Sequence, residues 1–332
     1  RDFIQNDKVK VHFAKDGAID SLIDLSNDKE LCGDYLNKLA VYSDPKMYYN
    51  AWDIKMNYQN MRKWQFKLES HKSYVDGVRV IMENIYTFKD STIIQKVTLT
   101  KGSSMVVFDT TVDWRETYKM LRADFRPSLY SDTVNCDIQF GNFDRSTLED
   151  TSVRKAQFEI CAHKFVNVDD GDYGVALINN CKYGYRAKNG LLSLNLLRSP
   201  KSPDPQCDMG EHKFTYAFYP HEGKWSDSDL IKRAYALNYP LIVKEEMPDI
   251  DNLFDIDGDV ILETVKVSED GKGIVARIYE RNGRDCHATV KAKFPCKNIY
   301  ETNMIENEPK AVDGDGFDFG KYEVKTLLFT LK

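Results

Sequence analysis

A chain of 332 residues is longer than a single compact core usually serves, so two domains are expected. The 46 basic residues are scattered among 52 acidic ones for a net charge of -6, which argues against nucleic acid as a partner because phosphate binding needs concentrated Lys and Arg. No run approaches the ~18–20 consecutive apolar residues of a membrane-spanning helix, so no membrane partner is expected either.

The opening, RDFIQNDKVKVHF, has no apolar signal core and does not begin with Met, which predicts a piece of a longer or processed polypeptide. From there period-2 alternation sets the pattern. In chain order it predicts strands over 94–100, 105–114, 158–165, 191–197, 213–219, 260–267, 274–280, 288–294 and 322–331. In 213–219, for example, Phe214, Tyr216 and Phe218 share one face, while Lys213, Thr215 and Tyr219 share the other. Turn signals separate the runs: Lys15-Asp16-Gly17, Asp76-Gly77, Lys188-Asn189-Gly190, Asp270-Gly271-Lys272-Gly273 and Arg281-Asn282-Gly283. One short helix is predicted. Ser226-Asp227-Ser228-Asp229 supply N-cap oxygens and first-turn acids, and Leu230, Ala234 and Leu237 share a face. Pro240 ends it by disfavouring helical backbone at Tyr239. The Asp-rich stretch 241–259 reads as a linker, which divides the chain into a large domain, 1–240, and a small one, 241–332. The fold class expected is all-β, built of packed antiparallel sheets.

The 7 Cys are odd in number, widely spaced and without a C-x-x-C pair, so no zinc knuckle or redox motif is written here. Several lie in apolar runs, where buried free thiols are expected. With no N-x-[ST] sequon, this predicts a reducing, cytoplasmic location.

The stretch 173–221, YGVALINNCKYGYRAKNGLLSLNLLRSPKSPDPQCDMGEHKFTYAFYPH, resembles the C-terminal β-region of glycoside hydrolase family 38 α-mannosidases. Other segments follow the same order. Residues 11–32 (VHFAKDGAIDSLIDLSNDKELC) are similar to its opening hairpin, and 36–54 to a loop ending Ala-Trp-Asp-Ile. Residues 135–144 (NCDIQFGNFD) resemble a core strand, and 260–280 with 317–331 resemble its small terminal sandwich. The resemblance, of the cytosolic and bacterial type, implies a large galactose-mutarotase-like β-supersandwich followed by a small β-sandwich, with the short helix between them. It also implies that the parent enzyme is a retaining, zinc-dependent exo-α-mannosidase. In such enzymes an N-terminal α/β barrel carries the Asp nucleophile, the acid/base carboxyl and a Zn²⁺ held by His and Asp. The family's His-x-Asp pair and its H-x-D-A-x-T-G motif have no counterpart here, and the six His are dispersed. No catalytic residue and no metal or cofactor site is therefore expected in this chain. The partners implied are the N-terminal barrel of the same polypeptide, an α-mannoside substrate and a homo-oligomer.

Six residues are candidates for lying near substrate. Trp52 offers a face for stacking on a sugar and Asp53 an acceptor for its hydroxyls; the alternative is a Trp that anchors its loop. Asn50 stands where the family commonly has Asp. Asn180, Lys182 and Tyr183 would present amide, ammonium and phenol groups toward the barrel, or simply form a tight turn. His212 closes a polar cluster that begins at Asp208, or is a hydrogen-bonded structural histidine. Asp169, Asp170 and the acids of 313–318 read as loop residues, and 255–259 as a linker turn lacking the ligand series of a calcium loop. Two other functions remain open: a stand-alone carbohydrate-binding β-sandwich using Trp52, Trp64 or Tyr183, and an aldose-mutarotase-like enzyme using His212 with a carboxylate.

Overall fold

The computed structural model describes residues 2–45, 47–243 and 252–331. It is all-β, and the chain divides into two compact units. The first comprises 1–137 with 144–240, and the second 138–143 with 241–332. A short piece from the middle of the sequence thus groups with the C-terminal residues.

In the first unit, apart from the residues of 138–143, one sheet runs Gly141–Ser146, Thr133–Ile138, Phe165–Asp169, Tyr173–Asn179, Gly210–Glu222, Val106–Trp114, Ser91–Thr100, Arg79–Phe88 and Lys67–Asp76. A second runs Ile160–Cys161, Gly184–Lys188, Leu191–Arg198, Lys119–Phe125, Lys38–Ser43 and Lys63–Gln65. Pairing is antiparallel, as in the long ladder of Val106–Trp114 on Gly210–Glu222. Val106–Trp114 explains the packing. Its alternate residues Phe108, Val112 and Trp114 are buried, while Asp109 is exposed. Phe108 meets Phe125 of the second sheet with ring centroids 6.0 Å apart, and Phe125 stacks on Phe218 at 5.7 Å. Each such buried ring contributes about 1.5–3 kcal/mol. A four-strand sheet, Phe3–Gln5 to Lys29–Glu30, is fastened to the large sheet by Asn6 Nδ2 donating to Thr100 O at 2.7 Å and Tyr173 Oη to Asp24 Oδ2 at 2.6 Å.

Two expectations are corrected in this unit. The run 158–165 is not one strand: Ile160–Cys161 joins one sheet and Phe165–Asp169 the other. Asp137 interrupts it, its carbonyl taking the His163 N–H at 2.9 Å and its carboxylate the Lys164 N–H at 2.8 Å. The helix Leu230–Asn238 forms, with Leu230, Ile231 and Ala234 buried, at the end of the first unit and just ahead of the second unit's residues in the chain. Its first turn is capped by Ser228 Oγ, which accepts from Leu230 N at 3.2 Å, because the Asp229 carboxylate is taken by Tyr219 and Arg233. A second short helix, Ser152–Ala156, is present as well, capped by Thr151 Oγ1.

The second unit is a sandwich of two sheets. Phe254–Asp257, Cys286–Ala292 and Gly316–Phe319 form one; Val260–Val267, Gly273–Glu280, Val324–Leu331, Cys296–Thr302 and Lys310–Val312 form the other. Between them lie Phe254, Ile278, Val290, Phe317 and Phe329. The linker expected over 241–259 is therefore corrected at its end: Phe254 anchors a strand in this core, while 244–251 lie outside the described residues. Residues 255–257 belong to a strand, while 258–259 form the bend that follows it, where Asp259 is held by Arg281 and Arg284, each at 3.0 Å.

All seven cysteines are free. Cys32 and Cys136 are buried as expected of thiols in apolar runs, and burial pushes both up to about 12. Cys161 and Cys181 are exposed, against that expectation. No helix among the described residues is long and apolar enough to cross a membrane.

Candidate functional site

Arg198 organises the site. It ends the strand Leu191–Arg198, where its N–H donates to Asp208 Oδ2 at 2.9 Å. Its Nε and Nη2 reach the two carboxylate oxygens of Asp44 at 2.9 and 3.1 Å. The same Nη2 also donates to the carbonyls of Asn50 and Asp53 at 2.8 and 2.9 Å. Burial pushes the Asp44 carboxyl above its ordinary range, against the opposing pull of the Arg198 guanidinium. Arg198 thus ties the loop that follows Asp44, through its guanidinium, to the loop carrying Asp208, through its backbone N–H. The far end of the first loop is fixed too. Tyr58 is buried and donates to Glu159 Oε1 at 2.5 Å, and Glu159 Oε2 takes Nη1 and Nη2 of the fully buried Arg122, each at 3.0 Å.

Between these anchors the loop turns its aromatic residues outward. Trp52 is 71% exposed, and Tyr48 and Tyr49 beside it are also exposed. Tyr49 meets the Trp52 ring edge-on at 6.1 Å. Trp52 is therefore not the buried loop anchor; Arg198 and Tyr58 do that work. Asp53 Oδ1 accepts from Ile54 N at 2.9 Å, so part of its carboxylate shapes the loop. Asn50 is buried, and neither its Nδ2 nor its Oδ1 has a partner among the described residues.

The turn after Tyr173–Asn179 is built on Asn179. Its Oδ1 accepts from Lys182 N at 2.5 Å and its Nδ2 donates to His163 O at 2.8 Å. Asn180 prolongs the ladder: its N–H and Oδ1 pair with Thr215 O and N, both at 3.1 Å. Lys182 and Tyr183 point elsewhere. Lys182 Nζ sits 4.6 Å from the Phe214 ring centre, and burial lowers its pKa while Cys181 and Asp208 oppose the shift. Tyr183 is half exposed, its ring 5.4 Å from that of His163.

His212 Nε2 lies 3.0 Å from Asp208 O, a backbone carbonyl and not a carboxylate, so no acid–base pair is assembled around it. Trp64 already carries cations on its ring: Arg62 and Lys119 lie 4.9 and 5.7 Å from its centre. Among the described residues no three His, Cys, Asp or Glu side chains converge to hold a metal ion. The fold connects Trp52, Asp53, Lys182 and His212 through Arg198 and Asp208. Arg198, Asp44 and Glu159 are missed by sequence reasoning. The one signal available was an Arg closing the alternating run LLSLNLLR. What the cluster offers is stacking surface and hydrogen-bond donors on braced loops.

Comparison with known proteins adds the following. Residues 4–206 match the glycosyl hydrolases family 38 C-terminal domain, and 259–327 match the family 38 C-terminal beta sandwich domain. The chain is 33% identical to alpha-mannosidase G of Dictyostelium discoideum over 98% of its own length and 32% of that protein. It is 31% identical to the Saccharomyces cerevisiae alpha-mannosidase, over 91% of the chain and 31% of the relative. It is 30% identical to human alpha-mannosidase 2C1, over 93% and 31% respectively. The chain thus spans about a third of the length of these relatives. In fold it is similar to an alpha-mannosidase from Enterococcus faecalis V583, with a TM-score of 0.82 at 16% identity, over 100% of this chain and 42% of that one.

Proposed function

Because the chain belongs to glycosyl hydrolase family 38, through that family's C-terminal domain, we propose that it serves a retaining, zinc-dependent exo-α-mannosidase as a structural and rim-forming β-region. The observation that carries this reading is the bracing of one exposed aromatic loop by Asp44–Arg198 at one end and Tyr58–Glu159–Arg122 at the other. A solvent-facing indole held on a rigid loop is suited to the apolar face of a sugar ring, and Lys182 and Tyr183 add donors. The zinc, when bound, would polarise mannose hydroxyls. The described residues offer it no ligand set, so it is assigned with the nucleophile to the barrel. The chain itself is then inactive. Seven unpaired cysteines, two of them exposed, favour a reducing cytoplasm.

The test is an aryl α-mannoside assay of the 332-residue chain with and without zinc. No turnover is expected, and zinc-dependent turnover would overturn the assignment of chemistry to the barrel. In a polypeptide that carries both barrel and β-region, Trp52→Ala is expected to raise KM about tenfold, equivalent to about 1.4 kcal/mol, with kcat little changed. An unchanged KM removes the rim role.

A further inference from the structure

Behind the large sheet of the first unit lies a cavity of about 290 Å³ whose walls are unusually polar. Its floor is two neighbouring amides. Asn135 and Asn167 are register partners on adjacent strands, so their side chains share one face of the sheet. Both are buried, at 5% and 1% exposure. Each is keyed to a carboxylate: Asn135 Nδ2 donates to Asp144 Oδ1 at 2.8 Å, and Asn167 Nδ2 to Asp169 Oδ2 at 2.9 Å. Asn167 Oδ1 meets His221 Nε2 at 2.8 Å, which fixes the direction of that amide. Asp144 Oδ2 and Asp169 Oδ1 accept no hydrogen bond among the described residues. Trp225 also lines the cavity, and no aromatic ring or cation stacks on its indole among the described residues. Its backbone N–H reaches Asp169 Oδ2 at 3.4 Å, which ties the Trp to the carboxylate. Lys224, also in the lining, adds an ammonium donor.

We propose that this cavity is a binding site for a single neutral pyranose, formed by Asp144, Asp169, Asn135, Asn167, Lys224 and Trp225. Two oriented carboxylate oxygens are acceptors for vicinal hydroxyls, which an anion could not satisfy. The indole supplies the apolar wall that a sugar's C–H face requires. Size selects the ligand further. About 290 Å³ is the volume of roughly ten liquid waters, at about 30 Å³ each, and lies at the small end of ligand sites, so one ring fits and a second would project out.

The experiment is titration of the isotopically labelled chain with D-mannose, D-glucose and D-galactose, following the side-chain amide signals of Asn135 and Asn167 and the Trp225 indole. A saturable shift of these signals is expected for at least one sugar, with a dissociation constant of about millimolar for so small a ligand. Asp144→Asn and Asp169→Asn should each weaken binding about tenfold with the thermal unfolding transition retained, and Trp52→Ala should leave it unchanged. Because the mapping uses the unsubstituted chain, it decides the matter even if a variant unfolds. The proposal is overturned if no sugar gives a saturable shift, if the shifts fall on the Trp52 loop instead, or if choline saturates the site and sugars do not.

Discussion

His221 is buried, and its ring occupies the space that a side chain on Gly174 would need: a Cβ there would come within 2.3 Å of His221 Cε1. Gly174 is thus a packing requirement and not a turn. Burial lowers the pKa of the imidazole, while the Glu222 carbonyl and the charges of Asp169 and Asp229 oppose that shift. The sign of the consequence follows. The unfolded chain, with an ordinary imidazole near pKa ~6.5, binds a proton at pH values where the folded chain does not. The His221 contribution to stability is therefore complete above that ordinary value and is lost as pH falls through the lowered one. Urea unfolding followed from pH 7.5 to pH 5 is expected to show falling stability, and His221→Gln should flatten that slope. A slope unchanged by the substitution would assign it to other groups. None of this is visible in the sequence, where His221 merely closes an alternating run and the glycine three-dimensionally beneath it lies far away along the chain.

At the scale of elements, alternation was enough wherever one face of a strand packs and nothing polar intervenes. Val106–Trp114, Leu191–Arg198 and Val260–Val267 sit where their patterns place them. Legibility fails where a buried acid captures backbone, as Asp137 does at 163–164. Glu280 shows the same limit at a turn. Arg281-Asn282-Gly283 reads correctly as a turn, yet the strands on either side of it do not pair with each other. Gly273–Glu280 pairs with Val324–Leu331, while Cys286–Ala292 goes to the opposite sheet. The fully buried Glu280 carboxylate is the cause. It gathers the N–H groups of Asn282, Gly283, Arg284 and Tyr322 at 2.6, 2.8, 3.2 and 3.0 Å, and so bends the chain from one layer to the other. Glu280→Ala would strand those donors, and we expect a loss of about 3 kcal/mol, read as a lowered unfolding midpoint of the second unit. A midpoint within experimental scatter of the parent chain would show that water replaces the carboxylate. The site follows this rule too. The residues that display chemistry, Trp52 and Lys182, were legible by type, but the Asp44–Arg198 pair that gathers them was not, because its members lie 154 residues apart.

For the molecule as a whole, the distribution of thiols gives a direct measure of which layers open. Cys161 and Cys181 are exposed and should react promptly with an aromatic disulfide reagent, whereas Cys32 and Cys136, buried and poorly ionised, should react only on unfolding. Rapid labelling of all four would mean that the first unit breathes far more than its packing implies. A last consequence concerns time. Residues 138–143 group with the second unit, where Asn142 Nδ2 donates to the carbonyl of Arg281, 139 residues later, and Asn142 Oδ1 accepts from Tyr322 Oη, 180 residues later. At about 5–20 residues per second on the ribosome, that segment waits on the order of 10 s for its companions to be made. During this interval its Phe140 has no Tyr279 to meet, although their rings finally rest 5.7 Å apart. The newborn chain therefore carries side chains whose companions do not yet exist, beside a strand that can already pair with Thr133–Ile138, and a chaperone acting during synthesis would find Phe140 without its later ring contact.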